Sequence, residues 1–155
     1  MKISFRKINE NDFPFLRKVY RSTREEELSR SGMSEDDKKR FIEFQFNAQH
    51  SYYLQTYKNA EFNLIILDDK PAGRIYLWRT ETQIRIMDIA LLPDFQGKGV
   101  GTRILQTILQ ESEISGKKVS IHVEYFNPAL RLYERLGFQK VDDSGIYFYM
   151  ERRPK

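Results

Sequence analysis

Hydrophobic and polar positions follow two different periods along this chain, and each change of period marks a predicted element. Alternation with a period of two predicts β-strands, whereas apolar residues spaced three and four apart predict one face of an α-helix. The helical spacing predicts four helices, whose apolar faces are Phe13, Leu16 and Tyr20; Phe41, Phe44 and Ala48; Val100, Ile104, Leu105, Ile108 and Leu109; and Ala129, Leu132, Tyr133 and Leu136.

Seven segments have the strand pattern and lie between these helices. Their order, β-α-α-β-β-β-α-β-α-β-β, predicts an α/β fold with a mixed sheet, in which a crossover helix joins two parallel strands. No repeat or linker divides the sequence, so we expect residues 1–155 to form one domain. The predicted strands are residues 2–6, 62–67, 73–79, 83–92, 118–123, 138–141 and 146–150.

Residues typical of helix ends support these boundaries. Asn9 and Asn11 precede the first helix, and Ser34 stands three residues before Asp37, which is the spacing of a capping box. Asn127 followed by Pro128 predicts an N-cap and a first-turn proline for the last helix. Glycines then end the last two helices, at Gly116 and Gly137.

Composition excludes several classes of protein. The chain has no cysteine, which excludes disulfides, thiolate metal sites and a cysteine nucleophile. Its first ten residues lack the apolar core of a secretory signal, and the longest apolar run, residues 84–92, is interrupted by Arg85 and Asp88. We therefore expect a cytoplasmic protein that does not enter the membrane. The net charge of +4 is spread over 26 basic and 22 acidic residues, which suits a polyanionic cofactor as well as a nucleic acid.

A glycine-rich segment, Gln96 to Thr102, lies between the most apolar strand and an amphipathic helix. Glycine allows positive φ and close approach of a ligand to the backbone. The free N–H groups and the dipole at the start of the helix favour an anion, and Lys98 adds a full positive charge. The segment is therefore either an anion-binding loop or a tight turn without a ligand.

Two common phosphate-binding motifs do not fit this segment. A Walker loop requires a lysine before the hydroxyl residue, but Gly101 directly precedes Thr102. The dinucleotide fingerprint requires a third glycine where Thr102 stands, and no acidic residue ends a strand about twenty positions later. Neither a P-loop nor a dinucleotide-binding site is predicted.

The segment instead resembles the pyrophosphate-binding motif of the GNAT superfamily of N-acetyltransferases, of the form Gln/Arg-x-x-Gly-x-Gly/Ala. A second block, Asn127 to Phe138, reads Asn-Pro-Ala-Leu-Arg-Leu-Tyr-Glu-Arg-Leu-Gly-Phe and resembles the other signature of that family. One helix and one strand separate the two blocks, as the family fold requires. The resemblance covers residues 84–138 closely and implies an enzyme that transfers an acetyl group from acetyl-CoA to a primary amine, without a metal.

The resemblance also implies roles for particular residues. The strand before the loop would pair its backbone with the pantetheine arm of CoA, and its N–H groups would polarise the thioester carbonyl. Asn127 would contact pantetheine, although it serves equally well as a helix cap. The residues implied to bind CoA are Ile89, Ala90, Leu91, Gln96, Gly97, Lys98, Gly99, Val100, Gly101, Thr102 and Asn127.

Catalysis requires an acid for the leaving thiolate and a base for the amine. Tyr133 matches the tyrosine that protonates the CoA thiolate in many relatives. The alternative to this catalytic role is that Tyr133 simply packs in the hydrophobic core. His122 and Glu124 alternate on the strand before Asn127 and are the candidate general bases, with Asp88 as a third. The family does not fix this residue, since some members use water relays.

The amine acceptor is not identified by the sequence. The segment from Arg21 to Tyr57 is expected to border the acceptor, and its triplet Glu25 to Glu27 would favour a cationic amine unless it is simply a solvated face. A homodimer also remains open. The alternatives to an enzyme are a CoA-binding module without activity and a basic nucleic-acid-binding domain, and we expect no nucleic-acid partner.

Overall fold

The computed structural model describes residues 1–155, apart from the side chain of Ser144. Five α-helices are present: α1 (Phe13–Ser22), α2 (Glu25–Arg30), α3 (Glu35–Thr56), α4 (Val100–Ser115) and α5 (Leu130–Arg135). The strands are β1 (Ile3–Lys7), β2 (Glu61–Leu67), β3 (Lys70–Arg79), β4 (Gln83–Leu91), β5 (Lys118–Glu124), β6 (Gln139–Ser144) and β7 (Tyr147–Arg152).

The strands are hydrogen-bonded in the order β1-β2-β3-β4-β5-β7-β6. β1 runs antiparallel to β2, and β7 runs antiparallel to both of its neighbours. β4 and β5 are parallel, with Ile84 opposite Val119 and Ile86 opposite Ile121. The predicted mixed sheet and its parallel crossover through a helix are therefore confirmed.

Residue contacts divide the chain into two compact units. The N-terminal unit comprises Met1–Tyr76 and Ile89–Gln96, and the C-terminal unit comprises Leu77–Asp88 and Gly97–Lys155. The core of the N-terminal unit lies between its helices and β2, because each of these elements has an apolar face to bury. Its buried side chains include Leu16, Tyr20, Leu28, Ile42, Phe46 and Leu64.

In the C-terminal unit, α4 buries the whole apolar face predicted for it. Val100, Ile104 and Leu105 are at most 3% exposed. Buried side chains of β4, β5 and β7 complete this core, which fixes the start of α4 and the preceding glycine segment in place. These strand residues are Ile84, Ile86, Val119, Ile121, Val123 and Met150.

The helix caps agree with the sequence in part, since the N-cap residue of α1 is Asp12 and neither Asn9 nor Asn11. Asn9 caps a short 3-10 helix, Glu10–Asp12, and Ser34 accepts a hydrogen bond from the Asp37 N–H at 3.1 Å. Gly116 ends α4 with a φ of 74°. The prediction of Asn127 as the N-cap was wrong, since its Oδ1 accepts from the Ala129 N–H at 2.8 Å and the helix begins only at Leu130. The chain makes a turn at this point before it becomes helical.

The predicted apolar face of α3 was also wrong. Phe41 is 39% exposed and Phe44 is 73% exposed, whereas Ile42 and Phe46 are at most 3% exposed. Two apolar stripes with helical spacing overlap in this helix, and the pattern alone does not tell which one is buried.

Further elements differ from the sequence predictions, and one of them is β3, which begins at Lys70 and not at Gly73. α2 was not predicted, and the β6–β7 turn is shorter than expected because β6 extends to Ser144 and β7 begins at Tyr147. Gly145 allows this tight turn, since it adopts a φ of 74°. None of the described helices has the length and apolar character needed to cross a membrane.

Candidate functional site

The glycine segment in the C-terminal unit turns sharply before α4. Gly97 and Gly99 have φ values of 75° and 80°, which are strained for any other residue. A Cβ atom added at Gly97, Gly99 or Gly101 would meet no protein atom within 4 Å. The absence of side chains therefore leaves open space along this backbone, and the glycines are not needed to relieve a contact within the protein.

The start of α4 can bind an anion. Gly99 is its N-cap residue and provides no side-chain hydrogen bond to the N–H groups of the first turn. Those groups, at Val100, Gly101 and Thr102, are the positive end of the dipole of a 16-residue helix. Lys98 and Arg103 are exposed on either side of them. Open space, unused donors and positive charge together fit a pyrophosphate group.

In the N-terminal unit, the end of β4 lies close to β3. Leu92 donates its N–H to the Ala72 carbonyl at 2.8 Å. A Cβ atom at Gly73 would overlap the Ala90 carbonyl oxygen and lie 2.9 Å from the Cα of Leu91, so this position requires glycine. The predicted CoA-binding residues Ile89, Ala90 and Leu91 are all half-buried here.

Gln96, also in the N-terminal unit, bridges back to the strand that precedes it. Its side-chain amide donates to the Leu91 carbonyl at 2.8 Å. Gln96 therefore fixes the conformation of the connection between β4 and the glycine segment. This positioning role was not foreseen in the sequence.

Tyr133 in α5 is 5% exposed, and its ring packs edge-on against Phe138 at 5.5 Å between ring centres. Burial raises the pKa of its phenol well above the ordinary value, and the nearby charge of Asp88 raises it further. Tyr133 therefore holds its proton firmly at neutral pH.

His122 in β5 contacts Arg85 of β4, with the guanidinium Nη2 against the ring Nδ1. A guanidinium can only donate, so Nδ1 accepts, and the proton of the neutral ring lies on Nε2. Burial lowers the pKa of His122, Arg85 lowers it further, and Asp142 opposes them. The ring is therefore neutral at neutral pH and offers an N–H donor. Arg85 was missed in the sequence because its contact depends on the β4–β5 register.

The candidate catalytic residues lie on two faces of the sheet in the C-terminal unit. Asp88 continues the alternation of Ile84 and Ile86 on β4, so its side chain lies on the same face of the sheet. The charge of Asp88 raises the pKa of Tyr133, so Tyr133 is near this face. His122 and Glu124 point to the opposite face, where the ring of Tyr149 lies 5.1 Å from that of His122. The structure thus brings Tyr133 to Asp88 and brings His122 to Arg85.

The β4–β5 pairing ends before these residues. In the described backbone the last paired positions are Ile86 and Ile121, although both strands continue. Glu124 is half-buried, and its carbonyl accepts from the N–H of the exposed Asn127 at 2.9 Å. Asn127 therefore follows the end of β5 directly, with its side chain used in the local turn.

The segment expected to border an acceptor begins with a charged surface. Glu25, Glu26 and Glu27 form the first turn of α2. Glu25 pairs with Arg21 at 3.3 Å and Glu26 with Arg30 at 2.7 Å, and both carboxylates are more than half exposed. These are typical solvated ion pairs, which favours the interpretation of Glu25 to Glu27 as a solvated face that does not contact the acceptor.

Among the side chains that the structure describes, no group of three or more His, Asp or Glu residues is arranged to hold a metal ion.

Comparison with known proteins identifies the family. A model of the acetyltransferase (GNAT) domain matches residues 58–140, which is more than half of the chain. The protein belongs to the GNAT acetyltransferases. It is thus an acyl-CoA-dependent N-acetyltransferase that takes acetyl-CoA as its acyl donor. No curated protein sequence matches the chain.

Solved structures with the same fold include several acetyltransferases. The PaiA N-acetyltransferase of Thermoplasma acidophilum, in complex with CoA, is 21% identical, with 99% of both chains covered and a TM-score of 0.73. The ribosomal-protein-S18-alanine N-acetyltransferase of Escherichia coli is 16% identical, with 98% of this chain and 94% of that chain covered and a TM-score of 0.65. The Campylobacter jejuni N-acetyltransferase PseH, in complex with acetyl-CoA, is 16% identical, with 99% and 100% covered and a TM-score of 0.62. At these identities the likeness shows the fold.

Proposed function

We propose that this GNAT protein transfers the acetyl group of acetyl-CoA to a primary amine, by direct attack of the amine on the thioester in a ternary complex. The observation that carries the proposal is the start of α4, where open space faces unused N–H donors beside Lys98. That arrangement suits the pyrophosphate of CoA. The structures of PaiA with CoA and of PseH with acetyl-CoA, which share the fold, are consistent with it.

The backbone makes most of the proposed contacts with the cofactor. The N–H groups from Gly97 to Thr102 bind the pyrophosphate, with Lys98 adding charge. The half-buried backbone of Ile89–Leu91 pairs with the pantetheine arm, as the family resemblance implies, while Gln96 holds the Leu91 carbonyl in place. The side chain of Asn127 contacts pantetheine, while its Oδ1 also accepts the hydrogen bond from Ala129 in the turn.

The chemistry requires two proton transfers around one displacement. The amine nitrogen forms a bond to the carbonyl carbon, the C–S bond breaks, the amine loses a proton and the CoA thiolate gains one. Tyr133 is the proposed acid, because it keeps its proton at neutral pH. Glu124 is the proposed base, with His122 as its alternative, because the Nδ1 of His122 is engaged by Arg85 in this structure.

A screen of amines with acetyl-CoA, following release of the free thiol, tests the activity. We expect turnover with at least one primary amine. Gly99→Val should abolish turnover through loss of acetyl-CoA binding, because a side chain would fill the open space and strain a φ of 80°. Lys98→Ala is the matched control. Its affinity for acetyl-CoA should fall less than that of Gly99→Val, because the substitution removes one exposed charge and leaves the N–H donors in place.

Calorimetric titration with acetyl-CoA ranks the two variants, and circular dichroism verifies that both are folded. Tight CoA binding by the wild type without thiol release for any amine would favour a binding module and overturn the proposed activity. A larger loss of affinity in Lys98→Ala than in Gly99→Val would overturn the role of the backbone.

A further inference from the structure

An apolar stripe faces solvent along α3. Phe44 is 73% exposed, Tyr52 is 55% exposed and Phe41 is 39% exposed, while Ala48 between them is exposed as well. Spacings of three and four place these residues on one side of the helix, which we call the α3 stripe (Phe41, Phe44, Ala48 and Tyr52). The helix already buries Ile42 and Phe46 on another side. The α3 stripe therefore lies outside the core, although the ring of Tyr52 contacts those of Tyr53 and Tyr57.

From Phe44 onward, α3 also lacks charge, although Arg40 and Glu43 flank Phe41 at the start of the stripe. Residues 44–57 contain no Asp, Glu, Lys or Arg, although 31% of the whole chain is charged. An exposed helix in a monomeric protein normally carries charges on its outer face. The centre of a protein interface is depleted in charge and enriched in Phe and Tyr. This composition favours a protein partner.

The α3 stripe is complementary to itself. Phe44 precedes the small Ala48 by four residues, and Tyr52 follows it by four, so the three form one ridge. If two such helices cross antiparallel at Ala48, Phe44 of each copy meets Tyr52 of the other. Alanine at the crossing point lets the helix axes approach closely. This is the pattern of an isologous, twofold interface.

The helix dipoles favour the antiparallel arrangement, because an antiparallel pair opposes the two α3 dipoles whereas a parallel pair aligns them. Side-chain charge selects neither arrangement. The acidic first turn of α3, Glu35 to Asp37, is followed directly by Lys38, Lys39 and Arg40. Glu35 and Asp37 also pair within the chain, with Arg21 and Arg40.

We propose that the α3 stripe is the interface of a homodimer in which two α3 helices cross antiparallel at Ala48. Phe41, Phe44 and Tyr52 have about 350 Å² of exposed surface per copy, if a full aromatic side chain is taken as roughly 200 Å². Two copies together would bury about 700 Å² of this aromatic surface, which is less than the 1,200–2,000 Å² of a specific, stable interface and typical of a weak one. We therefore expect a dimer that dissociates in the micromolar range.

Sedimentation velocity over roughly two decades of micromolar concentration tests this interface. The wild type should shift from monomer to dimer as the concentration rises, and Phe44→Glu should remain a monomer. The matched control is Ile114→Glu, which places the same charge on the side chain of α4 that is 89% exposed and should leave the dimer intact. A monomeric wild type, a dimer that survives Phe44→Glu, or a dimer lost in Ile114→Glu would overturn the proposal.

Because the chain has no cysteine, a single introduced thiol gives a second readout that does not depend on a charge substitution. Ala48→Cys places the two thiols of a dimer at the crossing point, within the Cα separation of about 4.4–6.8 Å that a disulfide requires. It should form a covalent dimer under mild oxidation, while Ile114→Cys should remain largely monomeric. Equal rates of cross-linking in the two variants would overturn the crossing at Ala48.

Discussion

At the scale of single residues, the environment of Tyr133 determines both the packing of its ring and the pKa of its phenol. Its ring is buried against Phe138, while Asp88 and the loss of solvent raise the pKa of its phenol. An ordinary phenol has a pKa near 10 and an ordinary thiol one near 8.5, so proton transfer from this tyrosine to a thiolate is unfavourable at equilibrium. As the proposed acid, Tyr133 is therefore suited to donate a hydrogen bond as charge develops on sulfur, and a proton that it passes to the thiolate as CoA departs is replaced from solvent.

Tyr133→Phe should lower turnover by roughly 10- to 1,000-fold while acetyl-CoA binding stays nearly unchanged, because the ring is kept and only the proton donor is lost. Steady-state kinetics per folded molecule, with calorimetric titration of acetyl-CoA, measures both effects. Normal turnover in a folded variant would reject the acid role.

Tyr149→Phe is the matched control for Tyr133→Phe. The Tyr149 hydroxyl donates to Glu151 at 2.7 Å, so its loss removes a hydrogen bond to a carboxylate. We expect a lower melting temperature and a loss of stability of about 1–3 kcal/mol, with little change in turnover. The pair separates a structural hydroxyl from the proposed catalytic one.

Residue-scale prediction from sequence depends on local information. The turn at the glycine segment and the helix that follows it were recognised because glycine, lysine and the following apolar period stand within a few positions, whereas CoA binding there stays a prediction. The contact between Arg85 and His122 was not recognised, because it joins residues 37 apart through the parallel register of β4 and β5. The register places Arg85 opposite Ser120. Ser120 and His122 are two residues apart on β5, so their side chains are neighbours on the same face of the sheet.

At the scale of elements, β5 offers two candidate bases on one face. Glu124 and His122 are two residues apart, so they point the same way. The Nδ1 of His122 already accepts a hydrogen bond from Arg85 and is not available to take a proton from an amine. The carboxylate of Glu124 has two oxygen atoms that can accept a proton. For this reason Glu124 is the base that we propose, with His122 as its alternative.

Glu124→Gln should lower turnover about 100-fold or more, because glutamine keeps the shape of the side chain but cannot take a proton. His122→Gln should retain turnover within roughly tenfold of the wild type. Turnover across a pH series, measured for both variants with the amine found in the screen, decides between them. The opposite ranking would assign the base to His122, and small effects in both would point to a water relay.

Helices differ in how well their orientation can be predicted. α4 has one apolar face, so its buried residues followed directly from the sequence. α3 has apolar residues on two sides, and the stripe chosen from the sequence faces solvent. α2 was missed because its sequence is mostly charged, yet the pair Glu26 and Arg30 at i and i+4 is a helical signal that could have indicated it.

At the scale of the whole molecule, the chain's only two histidines make its stability depend on pH. Burial lowers the pKa of His50, which lies among the rings of Phe13, Phe46 and Phe62, and Arg74 lowers it further. Burial and Arg85 do the same for His122, against the opposing charge of Asp142. Both rings are therefore neutral in the folded protein at pH values where the unfolded chain is already protonated.

The sign of the effect follows from proton binding. A histidine whose pKa is lower in the folded state than its ordinary 6.5 binds fewer protons folded than unfolded in the interval between the two values. Stability then falls as the pH drops below about 6.5 and recovers as it rises again. The carboxylates whose pKa is lowered by ion pairs, such as Asp12 beside Arg6 and Glu151 beside Lys118, lose their contribution only at more acidic pH.

Thermal unfolding at about pH 7.5 and about pH 5.5 should therefore show a lower midpoint at the acidic value for the wild type. The double variant His50→Phe, His122→Gln should lose most of this difference, because phenylalanine suits the aromatic surroundings of residue 50 and neither replacement titrates. Below about pH 4.5 wild type and variant should again fall together, since the carboxylates are the same in both. A wild-type midpoint that is constant or rises between pH 7.5 and 5.5 would show that these histidines are not held neutral by the fold.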